Sequence, residues 1–444
     1  MLVPVAVGAR QDGPPVVDPP LNSSSPNPPN PWRWIPSLYF AQGIPYVIAM
    51  TVSVVMFKNL KVSNTDIALY TSWLYLPWVI KPLWSPLVEL YRTKRFWIVS
   101  LQFVVGAALA AVALTLPGPD FFRYTLAVLW LLAFSSATHD IAADGFYLLT
   151  LPADQQAAFV GVRSTFYRLA MIAGQGGLVY LAGALQTSTG DVARAWSWVF
   201  AVVAVFFLLT ALYHLVVLPR PAGDRPAPRA PALATGYLAV FAAFFRKKEL
   251  LTILGYLLVY RLAEAQLLKL VTPFLLDGRV VGGLALTTQQ VGIVYGTIGI
   301  IALTLGGLVG GYVISRFGLR RMLWPMLIAM HAPNAVFIFL AAVQPDHLPL
   351  IGAAVAVEQF GYGFGFTAYM VYMMMVADGE HKTAHYAICT GFMALGMMLP
   401  GMAAGWIQEQ LGYVNFFVWV CVATLPSFAA TALIRVDPAY GKKT

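Results

Sequence analysis

The chain has 444 residues, 59% of them hydrophobic and 11% charged, with a formal net charge of +9. A soluble domain carries roughly 25% charged residues, so this composition excludes an ordinary soluble enzyme and describes an integral membrane protein. The surplus of basic residues falls in short segments between apolar spans, so it reads as a topology signal rather than a nucleic-acid surface.

Residues 1–31 end in VVDPPLNSSSPNPPNP. Rich in Pro, Ser and Asn, they predict a disordered cytoplasmic tail, and they lack the parts of a signal peptide. Apolar spans of about 20 residues follow, the length that crosses a bilayer as helix. Twelve are predicted, at about 34–57, 67–90, 96–116, 122–149, 157–184, 195–217, 248–275, 288–315, 320–343, 348–376, 384–407 and 411–435. Strand alternation is absent, so helices must satisfy the backbone in lipid. The Pro/Arg-rich segment 219–247 separates two sets of six spans and closes in GYLAVFAAFFRKK, expected to be a short interfacial helix. The expected organisation is a six-helix bundle over 32–218, a cytoplasmic linker over 219–247, a second bundle over 248–436 and a cytoplasmic tail over 437–444. With both termini inside, eighteen of the 28 basic residues lie in inner segments, five in outer loops and five in spans. That bias predicts cytoplasmic termini.

The halves echo each other. WSPLVELYRTKR (84–95) follows the second span and GGYVISRFGLRR (310–321) the eighth. Each is a small-residue helix end, a polar turn and a basic pair, and the copies lie 226 residues apart. A duplicated six-helix unit marks parallel-repeat transporters. The repeated motif resembles the loop between helices two and three of the major facilitator superfamily. The resemblance implies gating loops in which Glu89, Arg92, Arg95, Arg316 and Arg320 pin a closed state with ion pairs. Ser315 takes the acid position in the second copy.

Three stretches narrow the resemblance: LYFAQGIPY (38–46), VIKPLWSPLVELY (79–91) and FSSATHDIAADGFYLLTLPADQQ (134–156), the last followed by FYRLAMIAGQGG (166–177). They resemble the AmpG family of muropeptide permeases and its acetyl-CoA-transporting relatives. Lys81, Leu83, Trp84, Pro86, Asp140, Asp144, Tyr167 and Arg168 keep the family pattern. Glu89, His139 and Ala170 depart from it. The likeness covers about residues 36–180 well and the second half weakly. It implies an all-α major facilitator fold of twelve transmembrane helices in two six-helix pseudo-repeats.

Charges inside hydrocarbon cost several kcal/mol unless paired or hydrated, so they mark partners or a water-filled cavity. Asp140 and Asp144 are four apart and share a helix face, with Arg163 and Arg168 in the next span as expected partners. Lys81, Arg261, Glu264, Lys269 and Glu358 complete the set. None lies in the third, sixth or twelfth span, which with the ninth are the helices that the resemblance puts outside a central cavity. His331 and Asn334 in the ninth span are the polar exception. Arg163, Arg168, Lys81 and Lys269 are expected to hold cargo carboxylates, with Gln42 and Tyr167 beside them. Asp140, Asp144, Glu264 and Glu358 are the expected proton carriers. Arg261 and Glu264, three apart, are alternatively a local neutral pair, and the Asp140/Asp144 cluster a static ion-pair network. Tyr39, Tyr46, Trp73, Tyr75 and Trp78 suit sugar stacking, or plain helix packing.

Cys389 and Cys421 lie in apolar runs and offer no metal spacing. Walker loops, serine elbows and dinucleotide fingerprints are absent, so no cofactor is expected and transport must draw on an ion or solute gradient. The expectation is a monomeric permease of a bacterial inner membrane. It would import peptidoglycan-derived muropeptides with protons, meeting membrane lipid and a small-molecule cargo but no nucleic acid. The alternatives are another cargo (an acyl-CoA, a siderophore or a drug) and a membrane-embedded enzyme or sensor using His139-Asp140.

Overall fold

A computed structural model describes residues 30–226, 239, 241–378, 382–438 and 440–441. The tail 1–31 lies outside the described residues except for its last two positions. So do much of the 219–247 linker and of the C-terminal tail, and the side chain of Glu89.

All regular structure among the described residues is helical. Ten helices among the described residues are long and apolar enough to cross a membrane. The expected second span is missing from that set because it is broken: it is helical over Asn64–Trp73 and Leu76–Leu90. The last two expected spans run together over Ala384–Leu433. Gly412, at φ +71°, divides them in a conformation that L side chains rarely adopt. The rods are therefore α1 (Pro31–Asn59), α2 (64–90), α3 (Lys94–Thr115), α4 (Phe121–Thr150), α5 (153–189) and α6 (Val192–Val217). The second half holds α7 (Leu250–Leu276), α8 (Thr288–Phe317), α9 (Leu319–Val343), α10 (Leu348–Ala377), α11 (382–411) and α12 (413–433).

Local chemistry sets the boundaries. Ser63, Thr93 and Asp191 cap α2, α3 and α6, each side chain accepting from a backbone N–H three residues on. Thr287 and Gln290 form a reciprocal capping box on α8. Pro45 and Pro273 lie inside α1 and α7, where each removes a backbone donor. Three helices carry π turns: Ile48–Val52 in α1, Ala173–Leu178 in α5 and Gly292–Gly299 in α8. Leu114, Val216 and Leu251 are more than four-fifths exposed, on helices whose other faces are buried. Such outward apolar faces suit hydrocarbon.

The halves meet most tightly at the end opposite the chain termini. Lys58 of α1 pairs with Asp277 after α7, Nζ to Oδ1 2.6 Å. The Tyr413 hydroxyl donates to the same carboxylate at 2.6 Å, and Asn64 Nδ2 donates to Gln408 Oε1 at 2.7 Å. Thr288 donates to Asn59 and Gln186. Glycines allow this closeness: a Cβ on Gly405 would strike the Asn64 carbonyl, and one on Gly296 the Gln175 carbonyl. We call this the latched end. Toward the terminal end contacts between α5 and α8 thin out, and Arg168 Nη1 bridges to Thr304 Oγ1 at 3.2 Å.

Candidate functional site

The first half contributes two acid–base pairs from one face of α4. Asp140 accepts from Trp78 Nε1 of α2 at 3.1 Å and lies 3.7 Å from Lys81 Nζ. One turn on, Asp144 pairs with Arg163 Nη2 of α5 at 2.9 Å and accepts from the Tyr39 hydroxyl at 3.4 Å. The Arg163 guanidinium lies over the Tyr39 ring, 4.6 Å from its centroid, and beside Tyr147. The expected Asp–Arg cluster is thus divided. Arg163 takes Asp144, Lys81 takes Asp140, and Arg168 reaches across to the second half instead.

The second half contributes Arg261 and Lys269 from α7. Arg261 stands in a break of that helix, at φ −107° and ψ 19°. The i,i+3 geometry of a continuous helix therefore does not apply, and Arg261 and Glu264 form no ion pair. Arg261 donates through Nη2 to the Tyr362 hydroxyl and lies over the Phe366 ring at 4.7 Å, while its Nε has no partner. Lys269 Nζ donates to Thr71 Oγ1 of α2 at 2.9 Å and faces the Tyr75 ring at 5.2 Å. Among the described residues neither cation has a carboxylate within 4.0 Å, although both are buried.

These groups line two adjoining cavities that share Met171, Ile300 and Leu303. One, of about 360 Å³, lies between the halves and takes Lys81, Arg261 and Lys269 with Tyr46, Trp78 and Tyr362. The other, of about 480 Å³, lies on the side of the terminal end and takes Asp140, Arg163 and Arg168 with Gln42, Tyr39 and Tyr167. Five basic side chains and a single acidic one, Asp140, face the joined space. Such a lining favours an anion, and its ring edges and faces suit a sugar-bearing or otherwise flat-faced solute.

Two expected proton carriers stand behind the wall. Glu264 accepts from His331 Nδ1 at 2.8 Å. Glu358, buried, accepts from Gln359 Nε2 at 2.9 Å. His139 turns away from Asp140 and bonds to Gln102 at 3.1 Å, in a chain that runs on through His214 to Ser37. The expected gating loops are also placed away from the contact between halves. The backbone N–H groups of Lys94 and Arg95 are capped by Asp224 at 2.7 and 3.0 Å, and the Arg95 side chain bonds to the Leu215 and Leu218 carbonyls. Arg92 lies over Phe96, and Arg316 and Arg320 are exposed. Among the described residues the ion pair that joins the halves is Lys58–Asp277, which sequence reasoning missed because each partner alone looks like an ordinary loop charge. Arg261 was counted with the cavity charges but not among the expected cargo-binding residues, because Glu264 three positions away offered a local neutral pair.

Two six-helix halves around a charged cavity between them define a multi-pass membrane transporter. The Major Facilitator Superfamily model matches residues 37–276, and the chain belongs to that superfamily of transporters rather than to an enzyme family. Its relatives include the anhydromuropeptide permease of Escherichia coli (strain K12), 28% identical over 91% of this chain and 79% of that one. The nucleoside transporter NupG superposes with a TM-score of 0.66 at 17% identity, covering 91% of this chain and 98% of that one. A bacterial homologue of the human lysosomal transporter Spinster, inward-facing and unoccupied, gives 0.66 at 16% identity over 90% and 94%. The structural likenesses extend the fold across both halves.

Proposed function

We propose that this protein is a muropeptide permease of a bacterial inner membrane, importing anionic peptidoglycan fragments with protons. The observation that carries the reading is the lining of five basic side chains against one acidic, with aromatic rings on the same walls. An anhydromuramyl peptide offers what such a wall binds: free carboxylates on the peptide and flat sugar faces. The resemblance to an anhydromuropeptide permease points to the same cargo.

Lys269 and Arg261 are the cargo's anion seats, since each is buried without a carboxylate of its own. Arg163 and Lys81 already hold Asp144 and Asp140 and act when those pairs open. Arg168 bridges α5 to α8 and reports whether the terminal side is closed. The basic-residue bias puts both termini in the cytoplasm and the latched end outside. The arrangement is then sealed toward the periplasm. Alternating access rocks one half against the other about the cavity.

The test is uptake of labelled GlcNAc-anhydromuramyl peptide into proteoliposomes, with and without an inward proton gradient. Gradient-dependent uptake abolished by a protonophore is expected. No uptake and no counterflow by folded protein overturns the cargo and sends the search to other anions, acyl-CoA first. Counterflow without gradient dependence keeps the cargo and removes proton symport.

A further inference from the structure

Glu264 does not face the cavity. α7 is interrupted between Val259 and Leu262, and the break aims Arg261 inward and Glu264 toward α9. There Glu264 Oε1 accepts from His331 Nδ1 at 2.8 Å and from Asn334 Nδ2 at 3.5 Å. The two side chains of this hydrogen-bonded pair are 1% and 2% exposed. α9 is interrupted at the same level: its first part ends at His331, a 3-10 turn over Ala332–Asn334 carries Pro333, and the helix resumes at Ala335. Two broken helices therefore meet at one carboxylate–imidazole pair. Glu264 Oε2, His331 Nε2 and Asn334 Oδ1 are buried there with no partner.

The surroundings fix the charge count. α7 contributes Arg261 and Tyr260, whose ring centroid lies 6.2 Å from that of His331. α10 contributes Glu358, within electrostatic reach of Glu264, and Tyr369, stacked on Tyr260 at 4.8 Å. α12 contributes the Phe428 ring at 5.6 Å. With the imidazole neutral, Glu264 and Glu358 bring two negative charges to a buried region whose guanidinium, Arg261, acts on Glu264 at longer range without pairing to it, and a single added proton makes the count neutral. Such deep burial strongly favours the neutral count. Arg261 belongs to both places, the cavity wall and this cluster. When a cargo carboxylate occupies its guanidinium, the cluster loses its compensating charge and a proton becomes the replacement.

Building on the symport reading above, we propose that Glu264 and His331 form the proton-binding site of this transporter, linked to cargo through Arg261. Linkage of this kind is reciprocal: cargo draws the proton in, and the proton tightens cargo. His331 is the new member, a positioning and proton-holding residue in a helix that contributes nothing to the cavity wall.

The experiment uses the full chain in proteoliposomes loaded with a pH dye, with labelled GlcNAc-anhydromuramyl peptide as probe. Wild type is expected to carry protons inward with cargo. In His331→Gln and Glu264→Gln, cargo-driven proton influx and gradient-driven accumulation are expected to fall about tenfold or more, within the range of ordinary coupling energies, while counterflow persists. Glu264→Gln preserves shape and an acceptor oxygen, and either folded variant suffices. Should neither fold, wild type in weakly buffered detergent is expected to take up about one proton per cargo bound, by the count above. Wild-type-like proton influx in the variants, or loss of counterflow together with it, overturns the proposal and leaves symport standing. Cargo movement by wild type without proton influx, or with a sodium requirement, overturns symport and this site together. No proton uptake in detergent does the same for the linkage.

Discussion

The latch at the end opposite the termini makes a sharp prediction. Lys58 and Asp277 belong to different halves, so their bond exists only while that end is closed. The Nζ–Oδ1 distance is 2.6 Å, and the side chains are 14% and 18% exposed. Asp277→Asn keeps the volume and an acceptor for the Tyr413 hydroxyl, so the change isolates the charge. A hydrogen bond between charged groups contributes about 1.5–3 kcal/mol net. Taking about 2 kcal/mol, and 1.4 kcal/mol per tenfold, the ratio of protein open to protein closed at the latched end should rise about 30-fold. The assay is pulsed electron-spin distance measurement between labels at Ser188 and Val281, both exposed at the latched end of opposite halves. Cys389 and Cys421 are first replaced by Ser. A longer-distance population should appear in Asp277→Asn and recede in the charge swap Lys58→Asp/Asp277→Lys. An Asp277→Asn distribution indistinguishable from wild type would refute the latch.

Three further outcomes follow from the same geometry. Lys269→Met should raise the apparent KM of cargo counterflow about tenfold, the effect of losing one charge-assisted contact. Thr71→Val, which removes only its hydroxyl partner, should change it far less, and equal effects would mean that Lys269 serves helix contact alone. Arg168→Lys should impair transport, because Lys cannot reproduce a planar guanidinium between α5 and α8. Uptake and affinity both unchanged would remove Arg168 from the mechanism. Gly296→Ala should shift the spin-label distances outward like Asp277→Asn, since its methyl group would occupy the Gln175 carbonyl. Unaltered distances would show that the crossing is looser than it looks.

Much of the fold was legible because lipid imposes length and apolarity on every span. Where it was not, a single backbone feature intervened. Gly412 joins two expected spans through one positive-φ residue, and the break at Leu74–Tyr75 divides another. The cavity charges were legible as charges but not as pairs. Spacing along α4 put Asp140 and Asp144 on one face; it did not say that Lys81, from a helix sixty residues earlier, would claim the first. The alternative of a local Arg261–Glu264 pair fails, because the i,i+3 rule presumes the continuous helix that α7 lacks there. His331 and Asn334 had no meaning in sequence until a second interrupted helix was found opposite them.

The π turns of α1, α5 and α8 carry a consequence for heredity. A π turn is a helix holding one residue more than its hydrogen-bond ladder needs. Losing one residue from 173–178 or 292–299 would restore a plain α-helix and rotate everything beyond it by about 100°. Gly176 and Gly296 would then no longer oppose each other, and Gln186 and Thr288 would leave Asn59. Point substitutions can drift through these stretches, but single-residue deletions should be purged from them, in both halves at once. The lengths of α5 and α8 are thus locked to each other through a contact between two different repeats.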